Sequence, residues 1–153
     1  MPGELSAITR IAPDLITSAT LVIDTAGQGF TDLTPEVERF VKESKAGSGA
    51  VLLYLRHTSA SLTIQENADP DVQIDLLAAL ERAAPVGGDW IHDTEGPDDM
   101  PAHVKTMLTG VTLHVPVNNG KLGLGTWQGI YLIEHRRSPH RRELSLQFIG
   151  SKR

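Results

Sequence analysis

Residues 111–122 have the sequence VTLHVPVNNGKL, in which apolar and polar side chains alternate up to a tight turn. The residues that fall on one face of an extended chain here are Val111, Leu113, Val115 and Val117. Such alternation is typical of a strand with one buried face. Asn119-Gly120 favours the type I′ turn that closes a two-residue β-hairpin. The stretch therefore predicts a pair of antiparallel strands.

The segments on either side of this hairpin contain further strand and helix patterns. Four other stretches predict strands, namely 15–25, 51–55, 129–135 and 143–149. Helix starts are indicated at Thr34-Pro35, at Asp69-Pro70 and near Pro101. We expect the first helix to end at Gly47 to Gly49, and the third to bury Val104, Met107 and Leu108. About seven strands with two or three helices predict an α+β fold, mainly antiparallel β-sheet or sandwich, with the helices packed outside.

Length and composition limit the class of protein. With 153 residues, 40% of them hydrophobic and 22% charged, we expect one domain over residues 1–153, with its core at about 15–150. A net charge of -5 gives no general attraction to nucleic acid or to an anionic membrane, so neither is expected as a partner. The absence of cysteine excludes thiolate metal ligands. The longest apolar run, 50–55, is too short to span a bilayer, and we expect a cytoplasmic protein.

Two polar segments contain the groups that can perform chemistry. Residues 92–103 (HDTEGPDDMPAH) concentrate two histidines and four carboxylates, and residues 57–69 (HTSASLTIQENAD) have a similar make-up. We interpret them as two walls of one site. The imidazoles of His57, His92 and His103 would hold a zinc-like divalent ion, with a water in the fourth position. The alternative is that each is a hydrogen-bonded structural histidine. The remaining histidines are interpreted as outer-face strand or loop residues: His114, His135 and His140.

The carboxylates beside these histidines each have two interpretations. Asp69 is most simply a helix N-cap. Glu66 is either an ordinary solvated acid, or a general base or partner that orients a histidine. Asp98 and Asp99 are either acids of a first helical turn, which the helix dipole favours, or ligands for a Mg²⁺ that bridges to phosphate.

Other polar and aromatic groups suit a phosphorylated ligand. The hydroxyls of Thr58 and Ser59 are suited to donate hydrogen bonds to phosphate. In the glycine-rich segment 123–130, Trp127 offers a flat apolar face and Gln128 an amide that both donates and accepts. The glycines allow close approach of a ligand or of another chain.

Three motifs, in this order along the chain, resemble those of the YjbQ family. They are HTSASLTI (57–64) with Glu66-Asn67 and Asp69-Pro70, HDTEGPDDMPAHVK (92–105), and GTWQGI (125–130) followed by EHR (134–136). The resemblance runs from about residue 15 to residue 150. It implies a small cytoplasmic protein that forms a homotrimer of a mostly antiparallel β domain with outer helices. It also implies that His57, His92 and His103 lie together, with Trp127-Gln128 near the subunit boundary.

The resemblance further implies secondary thiamine-phosphate synthase activity, which joins hydroxymethylpyrimidine pyrophosphate to thiazole phosphate and releases pyrophosphate. The catalytic candidates are His57, Glu66, Glu95 and Lys105, and the substrate-binding candidates are Thr58, Ser59, Asn67, Asp98, Asp99, Trp127 and Gln128. Mg²⁺ on the paired aspartates, or Lys105 with Arg56, would neutralise the leaving pyrophosphate, while Glu66, Glu95 and Trp127 would face the developing pyrimidine cation. The alternatives are a metal-assisted hydrolase of a small phosphate ester, with Glu66 as base, and a trimeric module that binds a metabolite or anion without catalysis.

Overall fold

The computed structural model describes residues 2–153, which form eight strands and three helices. The strands are β1 (Leu15–Thr25), β2 (Gly29–Asp32), β3 (Ala46–Leu55), β4 (Ala60–Glu66), β5 (Thr112–Asn118), β6 (Lys121–Leu122), β7 (Gln128–Glu134) and β8 (His140–Lys152). The helices are α1 (Thr34–Glu43), α2 (Pro70–Ala83) and α3 (Asp99–Thr109). The predicted α+β class is confirmed.

The strands form two antiparallel sheets. The larger has the order β1-β8-β3-β5-β6, and the smaller has the order β2-β7-β4. The predicted hairpin joins β5 to β6, with Val117 opposite Leu122. Asn119 and Gly120 at its turn have φ angles of 50° and 78°, and two consecutive positive φ values are the requirement of a type I′ turn. The hairpin prediction is therefore confirmed at the level of backbone geometry.

The hydrophobic core contains residues from both sheets and from α1. The large sheet contributes fully buried side chains such as Val51, Leu53 and Phe148, and the small sheet contributes Leu62 and Leu132. Helix α1 adds Val37 and Val41, which are four residues apart and therefore share one helix face. Full burial of each such aliphatic or aromatic side chain contributes about 1.5–3 kcal/mol to folding. This apolar stripe of α1 thus packs against the core, as the helical repeat requires.

The segment Gly47-Ser48-Gly49 does not simply end the first helix, as was predicted from the sequence. Helix α1 ends at Glu43, and β3 already begins at Ala46. A Cβ on Gly49 would lie 2.2 Å from the carbonyl oxygen of Ile149 on β8. Glycine is therefore required for the two strands to approach, in addition to its usual role after a helix.

Helix α3 buries a different face from the predicted one. It begins at Asp99, and its buried residues are Asp99, Pro101, Ala102, Lys105 and Thr106. Met107 and Leu108, expected to face inward, are largely exposed. Small side chains let this helix pack closely on β4, where the Thr106 hydroxyl donates to the carbonyl oxygen of Ala60. That prediction was wrong because close packing and hydrogen bonding outweighed the apolar periodicity.

Strand β4 was not predicted, because its segment was interpreted as a polar wall of the site. It pairs with β7 along its whole length, from Ala60 opposite Glu134 to Glu66 opposite Gln128. Seven residues of strand separate its two ends by about 20 Å.

No helix within residues 2–153 is long and apolar enough to cross a membrane.

Candidate metal centre

Helix α3 and the loop before it bring two histidines and one aspartate together. Asp99 and His103 are four residues apart, so their side chains project from one face of the helix. His92 reaches the same point from the loop. Asp99 Oδ2 lies 2.7 Å from His92 Nε2 and 3.0 Å from His103 Nε2. The three candidate ligand atoms all lie within 4.8 Å of one another.

The hydrogen bonds of His103 determine what this cluster can hold. Its Nδ1 lies 2.7 Å from the carbonyl oxygen of Thr58, which can only accept, so Nδ1 donates. In neutral His103 the lone pair is then on Nε2, and it points at the carboxylate of Asp99. That contact is repulsive unless His103 carries a second proton or a cation lies between the groups. A backbone carbonyl that fixes the tautomer of a histidine in this way is the usual support of a metal ligand.

Asp99 is buried but remains charged. Only 1% of the residue is exposed, and its Oδ1 accepts a hydrogen bond from Arg136 Nη1 at 2.7 Å. Burial by itself raises the pKa of a carboxyl group. The hydrogen bond from His92, together with the nearby His103 and Arg136, nevertheless holds the pKa of Asp99 below its ordinary value. An ionised carboxylate at this position is the form that binds a cation.

Arg136 ties the acidic loop to the end of β7. Its Nε donates to Asp98 Oδ2 at 3.1 Å, and its Nη2 donates to the carbonyl oxygen of Glu95 at 2.8 Å. Asp98 also accepts from the backbone N–H of Arg137 at 2.9 Å. Burial opposes ionisation of Asp98, but these hydrogen bonds keep its pKa lowered. Asp98 therefore holds the loop in place, and Asp99 alone of the pair joins the histidines.

A cavity of about 700 Å³ lies beside His103, and its lining includes Tyr54, Arg56, His57, Thr58 and Met107. His57 Nε2 accepts a hydrogen bond of 2.7 Å from the backbone N–H of Glu143. Burial and the charge of Arg142 lower the pKa of His57, so the ring is neutral near pH 7, with its proton on Nδ1. Neither nitrogen of His57 then has a free lone pair. The residues that this structure brings within reach of one ion are His92, Asp99 and His103, and the three-histidine ligand set that includes His57 stays a prediction.

A second polar cluster lies at the junction of β7, β8 and β4, and it is closed to solvent. Glu134 is 1% exposed and Arg142 is 3% exposed. Glu134 Oε1 accepts from the Thr25 hydroxyl at 2.7 Å and from Arg142 Nε at 2.8 Å. Its Oε2 accepts from Arg142 Nη2 and from the backbone N–H of Arg136. Burial opposes ionisation, but the donors keep the pKa of Glu134 lowered, and the carboxylate is saturated.

His135 is buried next to this ion pair, so its interpretation as an outer-face residue was wrong. Burial, reinforced by the charge of Lys105, lowers its pKa from 6.5 to about 4. The Thr109 hydroxyl lies 2.7 Å from the carbonyl oxygen of Lys105 and must donate to it, so the Ser61 hydroxyl donates to Thr109 Oγ1. His135 Nε2 then donates to Ser61 Oγ, at 2.8 Å. This chain fixes a neutral ring with an accepting Nδ1.

Several predicted site residues lie at the far end of β4, about 20 Å along the strand from the end near His103. Glu66 Oε2 accepts from the backbone N–H groups of Ala68 and Asp69, and it stabilises the turn into α2. Asn67 Nδ2 donates to the carbonyl oxygens of Thr126 and Gln128. Trp127 is largely exposed. Segment 57–69 therefore lies beside segment 92–103 only at its start, where His57 and Thr58 line the cavity next to His103, and its far end does not join this site within a single chain.

The remaining candidates have other partners. Lys105 Nζ donates to Glu81 Oε2 at 2.7 Å, on the side of α3 away from the histidines. Ser59 is buried, and its oxygens accept from Arg142. Asp69 accepts from the backbone N–H of Asp71, which confirms the N-cap prediction. Arg136 is a site residue without a predicted role, although its position in the EHR motif was a signal.

Comparison with known proteins agrees with this architecture. The sequence model described as UPF0047 protein YjbQ-like matches residues 19–151. The UPF0047 protein sll1880 of Synechocystis is 47% identical over 131 residues, which cover 85% of this chain and 89% of that protein. The UPF0047 protein YjbQ of Escherichia coli O157:H7 is 42% identical over 118 residues, covering 76% of this chain and 86% of that protein.

Solved structures give the same result. An uncharacterized conserved protein of the YjbQ/UPF0047 family from Clostridium acetobutylicum has a TM-score of 0.78 at 39% identity, covering 84% of this chain and 97% of that one. A hypothetical protein from Aeropyrum pernix has a TM-score of 0.81 at 27% identity, with 88% and 98% coverage. Fold, motifs and relatives together establish that this chain belongs to the YjbQ/UPF0047 family.

Proposed function

We propose that this protein is a divalent-metal-dependent enzyme that acts on a small phosphorylated substrate. The observation that carries the proposal is the convergence of His92 Nε2, Asp99 Oδ2 and His103 Nε2 within 4.8 Å, with the tautomer of His103 fixed by Thr58. Two imidazoles and one carboxylate are a donor set suited to zinc and similar ions. Such an ion, when bound, would neutralise charge on a phosphate group.

The side chains around the adjoining cavity suit a ligand with a phosphate at one end and a flat apolar group at the other. Tyr54 and Met107 provide apolar surface, and Arg56 lies at the rim, where it pairs only loosely with Glu143 at 3.5 Å. His57 presents an Nδ1–H donor to the cavity in its neutral form. These side chains would bind and orient the phosphate of the ligand, and they would shield its flat apolar group from water.

Within this class we propose secondary thiamine-phosphate synthase activity, the reaction implied by the family resemblance. There the bond from the pyrimidine methylene carbon to the pyrophosphate oxygen breaks, and the pyrophosphate leaves as the carbon bonds to the thiazole. Arg56 would neutralise part of the leaving charge, and Tyr54 is the aromatic ring beside the cavity that can face a developing cation. Glu66 and Trp127 are at the other end of β4 and have no part in this proposal for one chain.

The test compares His103→Ala and Asp99→Asn with a matched control, His114→Ala, whose exposed side chain lies on β5 away from the cluster. We expect purified wild-type and control protein to retain zinc after dialysis and to form thiamine phosphate from the two substrates. Both cluster variants should lose zinc and activity by orders of magnitude while retaining the circular dichroism of the wild type. Full zinc content in both variants would contradict the metal centre.

Two other outcomes would identify the alternative functions. Hydrolysis of simple phosphate esters that needs the same three residues, without synthase activity or rescue of a thiamine auxotroph, would indicate a metal-assisted hydrolase. Thermal stabilisation by phosphorylated compounds, with no turnover in any assay, would indicate a binding module without catalysis. Mg²⁺ should be included in each assay, because a phosphate substrate can bring a second, oxygen-bound ion.

We also propose the homotrimer that the resemblance implies. Its support is the outer face of the large sheet, which exposes Ile16, Leu52, Tyr54 and Ile149, together with Trp127, which is 64% exposed in segment 123–130. Exposed apolar patches of this kind mark interaction surfaces. Light scattering at micromolar concentration should give three times the chain mass, and a monomer or an isologous dimer would contradict the proposal.

We also propose that the protein is cytoplasmic, as predicted from the sequence. Cell fractionation tests this location.

A further inference from the structure

A second cavity, of about 250 Å³, lies on the other side of α3 from the metal centre. At 100° per residue, Lys105 projects about 140° away from the midpoint of Asp99 and His103 around the helix axis. Lys105 therefore lines this second cavity, together with Glu81 and Leu77 of α2 and with Glu134, His135 and Arg137. The volume corresponds to roughly eight water molecules, which is enough for a small polyatomic ion.

Two cationic side chains of the cavity have N–H groups without a hydrogen-bond partner in the described part of the chain. Lys105 is only 3% exposed, and Glu81 is its one hydrogen-bond partner among residues 2–153, so two of its three N–H groups are free. The Arg137 guanidinium forms no ion pair with any residue of the described range. Only the backbone N–H of Arg137 is bound, to Asp98 Oδ2. Glu81 balances Lys105, and the saturated Glu134 balances Arg142. The charge of Arg137 is left in excess.

One acceptor faces the same cavity. The chain of hydroxyls from Lys105 O through Thr109 and Ser61 makes His135 Nε2 a donor, so Nδ1 must accept. His135 lines the cavity, and Nδ1 has no hydrogen-bond partner among residues 2–153. A ligand that satisfies all three groups has negative oxygens for the two cations and one O–H for the imidazole.

We propose that this cavity is a binding site for a phosphate group that retains one proton, held by Lys105, Arg137 and His135. Monohydrogen phosphate and a singly protonated phosphate monoester share this chemistry. Sulfate has the same shape but no proton near neutral pH, so it cannot donate to His135 Nδ1. The site is independent of the metal centre, because none of its three residues belongs to the metal cluster.

The experiment uses the full-length protein stripped of metal with a chelator, so that phosphate cannot bind through a metal ion. Isothermal titration calorimetry with inorganic phosphate at pH 7.5 is expected to give one site per chain. Phenyl phosphate and inorganic phosphate are also compared at pH 5.5, because a phosphate monoester has a second pKa of about 6 and has lost its last proton at pH 7.5. Binding of both ligands at pH 5.5 indicates a monoester site, and binding of inorganic phosphate alone indicates a site for the free ion. If neither ligand binds at up to about 20 mM, a free energy of binding weaker than about -2.3 kcal/mol, the proposal is overturned.

Variants then locate the site. Arg137→Gln removes an exposed, unpaired cation and should weaken phosphate binding at least about tenfold, the usual effect of losing one charge-assisted hydrogen bond. Arg141→Gln, also an exposed arginine, should bind phosphate like the wild type. Lys105→Met should weaken it similarly, provided that its circular dichroism is unchanged. Equal affinity of Arg137→Gln and wild type, or equal affinity for sulfate and phosphate, would contradict the site as described.

Discussion

The molecule contains two clusters in which a carboxylate lies among cationic or imidazole side chains, and they differ in whether the hydrogen bonds of the carboxylate are complete. At Glu134 and Arg142 the carboxylate is closed to solvent and accepts four hydrogen bonds, so it has no capacity left for a ligand. At His92, Asp99 and His103 the imidazoles are partly exposed, and their nitrogens converge on one oxygen. Both clusters use similar residue types. A candidate site differs from a structural network because its converging groups still have capacity to bind a ligand.

The largest expected effect is in the closed cluster. Arg142→Met leaves the buried carboxylate of Glu134 without its cation, and it should lower the free energy of unfolding by about 3–5 kcal/mol. The control is Arg141→Met, because Arg141 pairs with Asp24 on the exposed surface. This change should stay within about 0.5 kcal/mol. Urea denaturation of both variants measures the difference, and similar losses would refute the structural role of the closed cluster.

Acidification should also act through the closed cluster. The pKa of His135 is about 4 in the folded protein, against 6.5 ordinarily, so below pH 6.5 the unfolded chain binds a proton that the folded chain excludes. The free energy of unfolding should therefore fall between pH 6.5 and pH 4, by roughly 3 kcal/mol in total. The lowered pKa of His57 acts in the same direction.

The carboxylates do not share this pH window. The lowered pKa values of Asp99 and Glu134 give stability that is lost only below about pH 4. Urea denaturation at pH 7 and pH 4.5 separates the two groups, and His135→Gln should show a smaller difference between these pH values than the wild type. A wild-type protein equally stable at both would refute the buried neutral histidine.

The open cluster should respond to a ligand instead. Free zinc at 100 times its dissociation constant should raise the free energy of unfolding of the wild type by about 2.7 kcal/mol. The gain should vanish in His103→Ala, whose own stability without zinc should lie within about 1 kcal/mol of the wild type. His114→Ala should keep the gain. Thermal melts with and without zinc measure this gain. If zinc still stabilises His103→Ala, the ion binds at a site that does not include His103.

The smallest expected effect concerns Glu66, which the sequence placed in the site and the structure places at the turn into α2. Glu66→Ala removes two hydrogen bonds to backbone N–H groups, so it should cost about 1 kcal/mol or less, as for the loss of a helix cap. The zinc affinity should not change, because the residue lies at the far end of β4. Zinc titration of this variant checks the point, and a large loss of affinity would show that the two ends of β4 cooperate.

Local patterns explain which features were predicted correctly. The turn at Asn119-Gly120 and the N-cap at Asp69 each depend on residues that are close neighbours in the chain. Their backbone preferences are decided by neighbours in sequence. The inward face of α3 was predicted wrongly, because close packing on β4 selected small and polar residues over Met107 and Leu108.

The sequence by itself determined the antiparallel α+β fold, the family, and the choice of His92 and His103 as candidate ligands. Only the tertiary structure decided that Asp99 completes the cluster and that His57 does not. The reason is that a histidine's free lone pair depends on its hydrogen-bond partners, here Thr58 O for His103 and the Glu143 N–H for His57. Those partners lie 45 and 86 residues away along the chain, beyond the reach of any local pattern.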